Sequence, residues 1–178
     1  MILSRTSNKA VVDALHKVEY VLLMDDFELK MNNKKSFDMA TCDGRYVFDL
    51  IKNNQEPCYI YTYRSKNPWS RAYAYFNPSQ PDRMYLNTRK LNRSTGSIAA
   101  TIIHEYIHFL DHLDKNHSFG HGDNSPVGKA NTCPYWVDNL MEALIEGKKP
   151  DFNNNDSHNI ITYVPWYKRA WNWVRRVL

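Results

Sequence analysis

The sequence predicts an α+β domain with a small mixed or antiparallel sheet of about three to four strands packed against helices. Three observations predict it. Apolar residues recur at helical spacing before residue 55 and again after residue 94. Between these stretches lie short, tyrosine-rich, β-prone segments separated by turn residues. The chain has 178 residues, 43% hydrophobic and 24% charged, which is enough apolar material for one folded core.

The first element is a helix in "SNKAVVDALHKVEYVLLM", with Ser7 or Asn8 as its cap, and "DGRYVFDLIKNN" gives a shorter second one. "PCYIYTYRS", "SRAYAYFN" and "DRMYLNT" read as three neighbouring strands, divided by "KNPW" and "NPSQP". From the hydroxyl cap Ser94, "STGSIAATIIHEYIHFLDHLDK" runs as a long helix until "NHSFGHG" breaks it. Another helix, "CPYWVDNLMEALIEG", starts near Pro134 and stops at Gly147. A polar loop and a short apolar piece, "IITYV", lead to a terminal amphipathic helix. The expected organisation is a single domain over 1–178: an N-terminal helical region (1–54), the sheet with the chemistry-bearing helices (57–147), and the C-terminal helix (159–178).

Several classes are disfavoured. No run approaches eighteen apolar residues and the N-terminus meets charge early, so no membrane span or secretory leader is expected and the expected location is the cytoplasm. Cys42, Cys58 and Cys133 lack CxxC spacing and are expected to be buried or idle thiols. The net charge of +4 is too small to argue for nucleic acid by itself. Trp166, Trp173, Lys168, Arg169, Arg175 and Arg176 do give the C-terminus a basic, aromatic character.

The long helix carries the chemistry. At 100° per residue, Ser97, Thr101, His104, Glu105, His108, Asp111 and His112 share one arc, while Ile98, Ala99, Ile102, Ile103, Tyr106, Ile107, Leu110 and Leu113 form the apolar remainder. His104 and His108, one turn apart, can both direct a ring nitrogen at one ion. Glu105 is rotated about a quarter turn from His104, which places it beside the ion as a general base. A zinc ion (Zn2+) with an open fourth position would lower the pKa of water there toward ~7 and polarise a carbonyl.

"HEYIH" resembles the His-Glu-x-x-His signature of zincin-type zinc metallopeptidases. The longer metzincin pattern is absent, because Asp111 and Asp114 stand where it needs glycine and histidine. A third ligand must come from downstream. His121, between Gly120 and Gly122, has a loop able to turn back onto the ion. With that residue the stretch 83–123 resembles the SprT-like metalloproteases, whose active-site helix is followed by a glycine-flanked histidine ligand. The matching residues are His104, Glu105, His108 and His121; the four-cysteine zinc ribbon of that family is missing. The alternative third ligand is Glu142, as in gluzincins, on a helix where Asp138, Glu142 and Glu146 share a face. An acidic residue of this face can instead orient a ligand imidazole through its far nitrogen.

Among the other histidines, His112 is expected beside the site or facing solvent, His117 to cap the helix C-terminus, and His16 and His158 to be unrelated. Tyr163 or Tyr135 is a candidate to stabilise an oxyanion. The zincin resemblance implies that an edge strand, "DRMYLNT" or "SRAYAYFN", binds an extended protein or peptide substrate. The expected function is a zinc-dependent metalloendopeptidase. The alternative is a nucleic-acid-associated SprT-like module in which the zinc fold mainly serves binding.

Overall fold

The computed structural model describes residues 1–122 and 128–150. Its elements in chain order are β1 (Ile2–Ser4), α1 (Lys9–Leu22), α2 (Asp25–Asn33), α3 (Gly44–Asn53), β2 (Cys58–Tyr63), β3 (Ala74–Phe76), β4 (Arg83–Asn87), a 3-10 turn (Thr88–Lys90), α4 (Thr95–Leu113) and α5 (Cys133–Glu146). The expected α+β class is observed. The expected C-terminal helix, with Tyr163 and His158, lies outside the described residues.

Local chemistry sets most boundaries. Asn8 caps α1 by accepting the Ala10 N–H at 3.1 Å, and Ser94 caps α4 by accepting the Ser97 N–H at 3.1 Å. Pro134 occupies the first turn of α5, and Gly147 ends that helix at φ 65°, a left-handed conformation that glycine adopts at no steric cost. Two elements were not expected. In α2, Asp25, Asp26 and Glu28 in the first turn and Lys30 in the last complement the helix dipole, and Phe27 and Met31 are buried. In β1, three residues pair in parallel with β2, Ile2 opposite Cys58. The N-terminal region over 1–54 is therefore not wholly helical, and the sheet is not confined to 57–147.

The sheet order is β1-β2-β4-β3. The first three strands are parallel and β3 runs antiparallel to β4. One sheet face, with Cys58, Ile60, Met84 and Leu86, is buried in a core shared with α1, α3, α4 and α5. On α4 the predicted apolar residues from Ile98 to Leu110 are buried, whereas Leu113 is 39% exposed at the helix end. The opposite arc is not a solvated stripe. Thr101 and Glu105 are buried there: α5 packs along α4, and Glu105 meets the Phe76 backbone of β3.

No helix among the described residues is long and apolar enough to cross a membrane. Cys58 and Cys133 are buried and Cys42 is half-buried, all as free thiols. Burial pushes Cys42 up to about 11 and Cys58 up to about 12, so neither is a thiolate at neutral pH.

Candidate metal centre

His104 and His108 rise one turn apart from α4, and the chain returns after the helix to bring His121 against them. His121 Nε2 lies 3.2 Å from His104 Nε2 and 2.9 Å from His108 Nε2. The three ligand nitrogens all lie within 4.8 Å of one another. Tetrahedral zinc at ordinary Zn–N lengths separates its nitrogens by about 3.3 Å, close to these spacings. Among the described residues this is the group able to hold a metal ion.

The return loop is built for this approach. Phe119, fully buried, anchors it, and its N–H donates to Asp111 Oδ1 at 2.7 Å. Thr41 holds the other side: its N–H donates to Ser118 O at 2.9 Å and its Oγ1 accepts the Ser118 N–H at 3.1 Å. The two glycines serve different ends. A Cβ on Gly120 would sit 2.9 Å from Asp111 Oδ2, so the loop packs this tightly only without a side chain. Gly122 has φ 71°, the left-handed region.

Protonation states follow from the partners. Asp138 on α5 is 2.7 Å from His104 Nδ1. The buried carboxylate takes a hydrogen bond from Nδ1–H, which leaves the His104 Nε2 lone pair facing His121. Burial, then the neighbouring His104 and His121, drive His108 down to about 2, so its ring is neutral and keeps a lone pair to give to a cation. Three inward nitrogens, at most one of which can satisfy another by a hydrogen bond, are a donor set suited to a divalent cation.

Glu105 is also buried, and desolvation raises it to about 7, opposed by a hydrogen bond from the Phe76 backbone N–H and assisted by Asp138. Phe76 ends β3, the edge strand. Because Asn87 N–H donates to Tyr73 O, alternation turns the backbone groups of Ala74 and Phe76 away from β4 toward the open edge. Of the two strands expected to offer an edge, "DRMYLNT" forms β4 and is paired on both sides, so it is excluded; "SRAYAYFN" contains β3 and qualifies.

The remaining expectations divide. Glu142 does not reach the histidines: it sits one turn beyond Asp138 on α5, among Arg93, Glu146 and Lys148, and burial raises its pKa. The acidic stripe thus supplies an orienting group, Asp138, rather than a ligand. Tyr135 lies at the site, its ring centroid 4.6 Å from that of His104 and 5.0 Å from that of His121. His112 is exposed, with its ring 5.7 Å from that of Phe76. His117 does not cap α4; Nδ1 is 3.1 Å from Thr41 O, and the ring packs edge-on against Tyr46. His16 is exposed on α1, remote in the chain from the cluster. Sequence reasoning put Asp111 on the polar arc of α4 but missed its hold on the loop, and it missed Thr41; both roles exist only once the loop has folded back.

No protein-family model, curated protein or solved structure matches the chain. The fold and the site define it as an α+β protein with three histidines that can hold a metal ion.

Proposed function

We propose that this protein is a zinc-dependent metalloendopeptidase. The observation that carries the reading is the convergence of the His104, His108 and His121 nitrogens, beside which the same helix carries a buried carboxylate, Glu105, as the next residue after a ligand. When bound there, zinc would supply a Lewis acid to polarise the scissile carbonyl and acidify a water.

The chain's own groups do the rest. Asp138 fixes the His104 ring and its tautomer. Glu105 accepts the water proton and returns it to the departing amine, a task suited to a carboxylate whose burial sets it near neutrality. Tyr135, whose ring lies beside two of the imidazoles, is the candidate donor to a developing oxyanion. An extended protein or peptide substrate adds to the outer edge of β3, where Ala74 offers outward backbone groups next to the Glu105 end of the strand. Such main-chain pairing reads little sequence, which fits a protein substrate of broad composition.

The test is cleavage of an unfolded, fluorescently quenched protein by zinc-loaded wild type and Glu105→Gln. The expected result is a loss of kcat of about 10²–10⁴-fold in the variant with zinc content unchanged. Equal cleavage by both proteins, or none by zinc-loaded wild type across a panel of unfolded substrates, contradicts the assignment.

A further inference from the structure

The polar arc of α4 continues past the metal centre toward the start of the helix, between β3 on one side and α5 on the other. Helices α4 and α5 run antiparallel: Asp138 meets His104 at 2.7 Å, and Glu146, two turns further along α5, accepts from Ser94 Oγ at 2.5 Å at the α4 cap. Gly96 lets this far end close, since a Cβ there would lie 2.9 Å from Glu146 Cγ. Glu142 stands between Asp138 and Glu146, one turn from each. On α4 the same strip carries Thr101, buried, and Ser97, half-buried, with Thr101 Oγ1 donating to Ser97 O at 3.2 Å.

Arg93, just before the Ser94 cap, reaches across this strip. Its guanidinium carbon lies 4.3 Å from the ring centroid of Tyr73, at the start of β3. Its Nε donates to Lys90 O at 2.9 Å, and its Nη1 donates to Ser97 O and to Ser97 Oγ, each at 3.0 Å. These bonds fix the planar fork and leave Nη2 buried with no hydrogen-bond partner. Glu142 Oε2 is buried and unpartnered in the same way. Its neighbour Glu146 is already engaged by Ser94 and Lys148. Desolvation lowers the pKa of Arg93 and raises that of Glu142, and each group senses the opposite charge of the other, yet neither orphaned atom bonds the other. A buried donor and a buried acceptor left unpaired cost free energy that a ligand supplying both partners recovers.

We propose that Arg93 and Glu142 form a subsite for one substrate side chain, a glutamine or asparagine, whose carboxamide oxygen accepts from Arg93 Nη2 and whose amide nitrogen donates to Glu142 Oε2. The carboxamide is the side-chain group that accepts at one atom and donates at its neighbour, so it meets both orphans at once. A carboxylate meets the arginine but is repelled by Glu142, a lysine does the reverse, and an aliphatic side chain leaves both groups unpaired. Ser97, to which Arg93 is fixed, lies seven residues, about 10 Å, along the helix from His104. The residue read is therefore within about three positions of the scissile bond in an extended chain. The subsite rests on the peptidase reading, because a substrate strand added to β3 is what carries a side chain past Tyr73. It adds one side-chain preference to main-chain pairing that is otherwise indifferent to sequence.

The experiment uses short labelled peptides with an alanine-serine background, each carrying one glutamine, asparagine, glutamate, lysine or leucine at a scanned position. They are titrated by fluorescence anisotropy into the zinc-loaded full chain bearing Glu105→Gln, so that binding is read without turnover, and they are digested in parallel by zinc-loaded wild type. At one scanned position glutamine or asparagine should bind about 10–100-fold tighter than leucine, and wild type should cut those peptides at a fixed offset from it. Adding Glu142→Gln should move the preference to glutamate, because the arginine charge is then unopposed. Adding Arg93→Lys, which keeps the charge and loses Nη2, should cut the carboxamide preference by about tenfold or more. Unaltered circular dichroism and zinc content show that each variant is folded. Selective binding without cleavage by wild type removes the peptidase reading and keeps the subsite as a peptide-binding site. Cleavage without selectivity keeps the peptidase reading and overturns the subsite, leaving only a bridging water between the two groups. Absence of peptide binding, or a preference unchanged by both added substitutions, overturns it as well.

Discussion

The α4–α5 layer and the sheet are both rich in polar side chains, but they use them in opposite ways. At the helices, His104, His108, His121 and Asp138 are mostly buried and committed to one another, and Glu105 is buried against the Phe76 backbone. On the outer sheet face, tyrosines and arginines lie half-exposed and lean on their neighbours. A buried polar group costs free energy unless it is paired, so inward convergence of four such groups marks a site rather than a solvated stripe. Outward polar groups carry no such cost, and their meaning comes from charge and surface chemistry instead. The contrast is open to direct attack.

The largest effect should come from the inward set. With zinc at ~1,000 times its Kd, wild type should gain about 4 kcal/mol of stability in denaturant titrations, and His121→Ala less than ~1 kcal/mol. An equal gain in both proteins would mean that His121 is not a ligand.

Next comes the buried carboxylate in the metal-free protein. Glu105 sits at about 7 rather than 4.5, so the folded chain holds its proton more tightly than the unfolded chain does. The stability it supplies is complete below about pH 4.5 and is lost as pH rises through about 7. Glu105→Gln, neutral at every pH, should therefore be about 3 kcal/mol more stable than wild type at pH 8 under chelation, and no more stable at pH 4. His108 acts in the other sense: its pKa falls from 6.5 to about 2, so its contribution is present above 6.5 and lost as pH falls toward 2, in both proteins alike. A pH-independent difference between wild type and Glu105→Gln would show that Glu105 is not desolvated.

Smaller changes sharpen the picture. Asp138→Asn should weaken zinc binding by about 10–100-fold, because the amide no longer anchors Nδ1–H as a charged acceptor. Glu142→Gln, one turn further along the same helix, should leave zinc affinity unchanged in the same dialysis assay. Similar losses in the two variants would erase the distinction between an orienting acid and a bystander.

What the sequence made legible follows the range of the interactions. Helices α4 and α5 carry their own period and caps, Ser94 and Gly147, so their bounds are written locally. His104, Glu105 and His108 share a helical face by geometry alone, and the glycines around His121 marked a loop able to return. Strand β1 was invisible because three residues make no pattern and its register depends on Cys58, far along the chain. The roles of Asp111 and Thr41 were missed for the same reason: each holds the return loop by bonding its backbone, which no side-chain pattern reveals. Asp138 and Glu142 could not be separated by spacing, since both lie on the α5 face toward α4; only the packing of α5 on α4 places the first, and not the second, against His104.

The most direct test of the three-histidine centre is equilibrium metal titration of the chelated, refolded chain with zinc, read by elemental analysis after dialysis, in wild type and in His104→Ala, His108→Ala and His121→Ala. The account predicts one equivalent of tightly held zinc per chain in wild type and its loss in every single variant. No bound zinc in wild type, or a full equivalent retained by any one of the three variants, would contradict it.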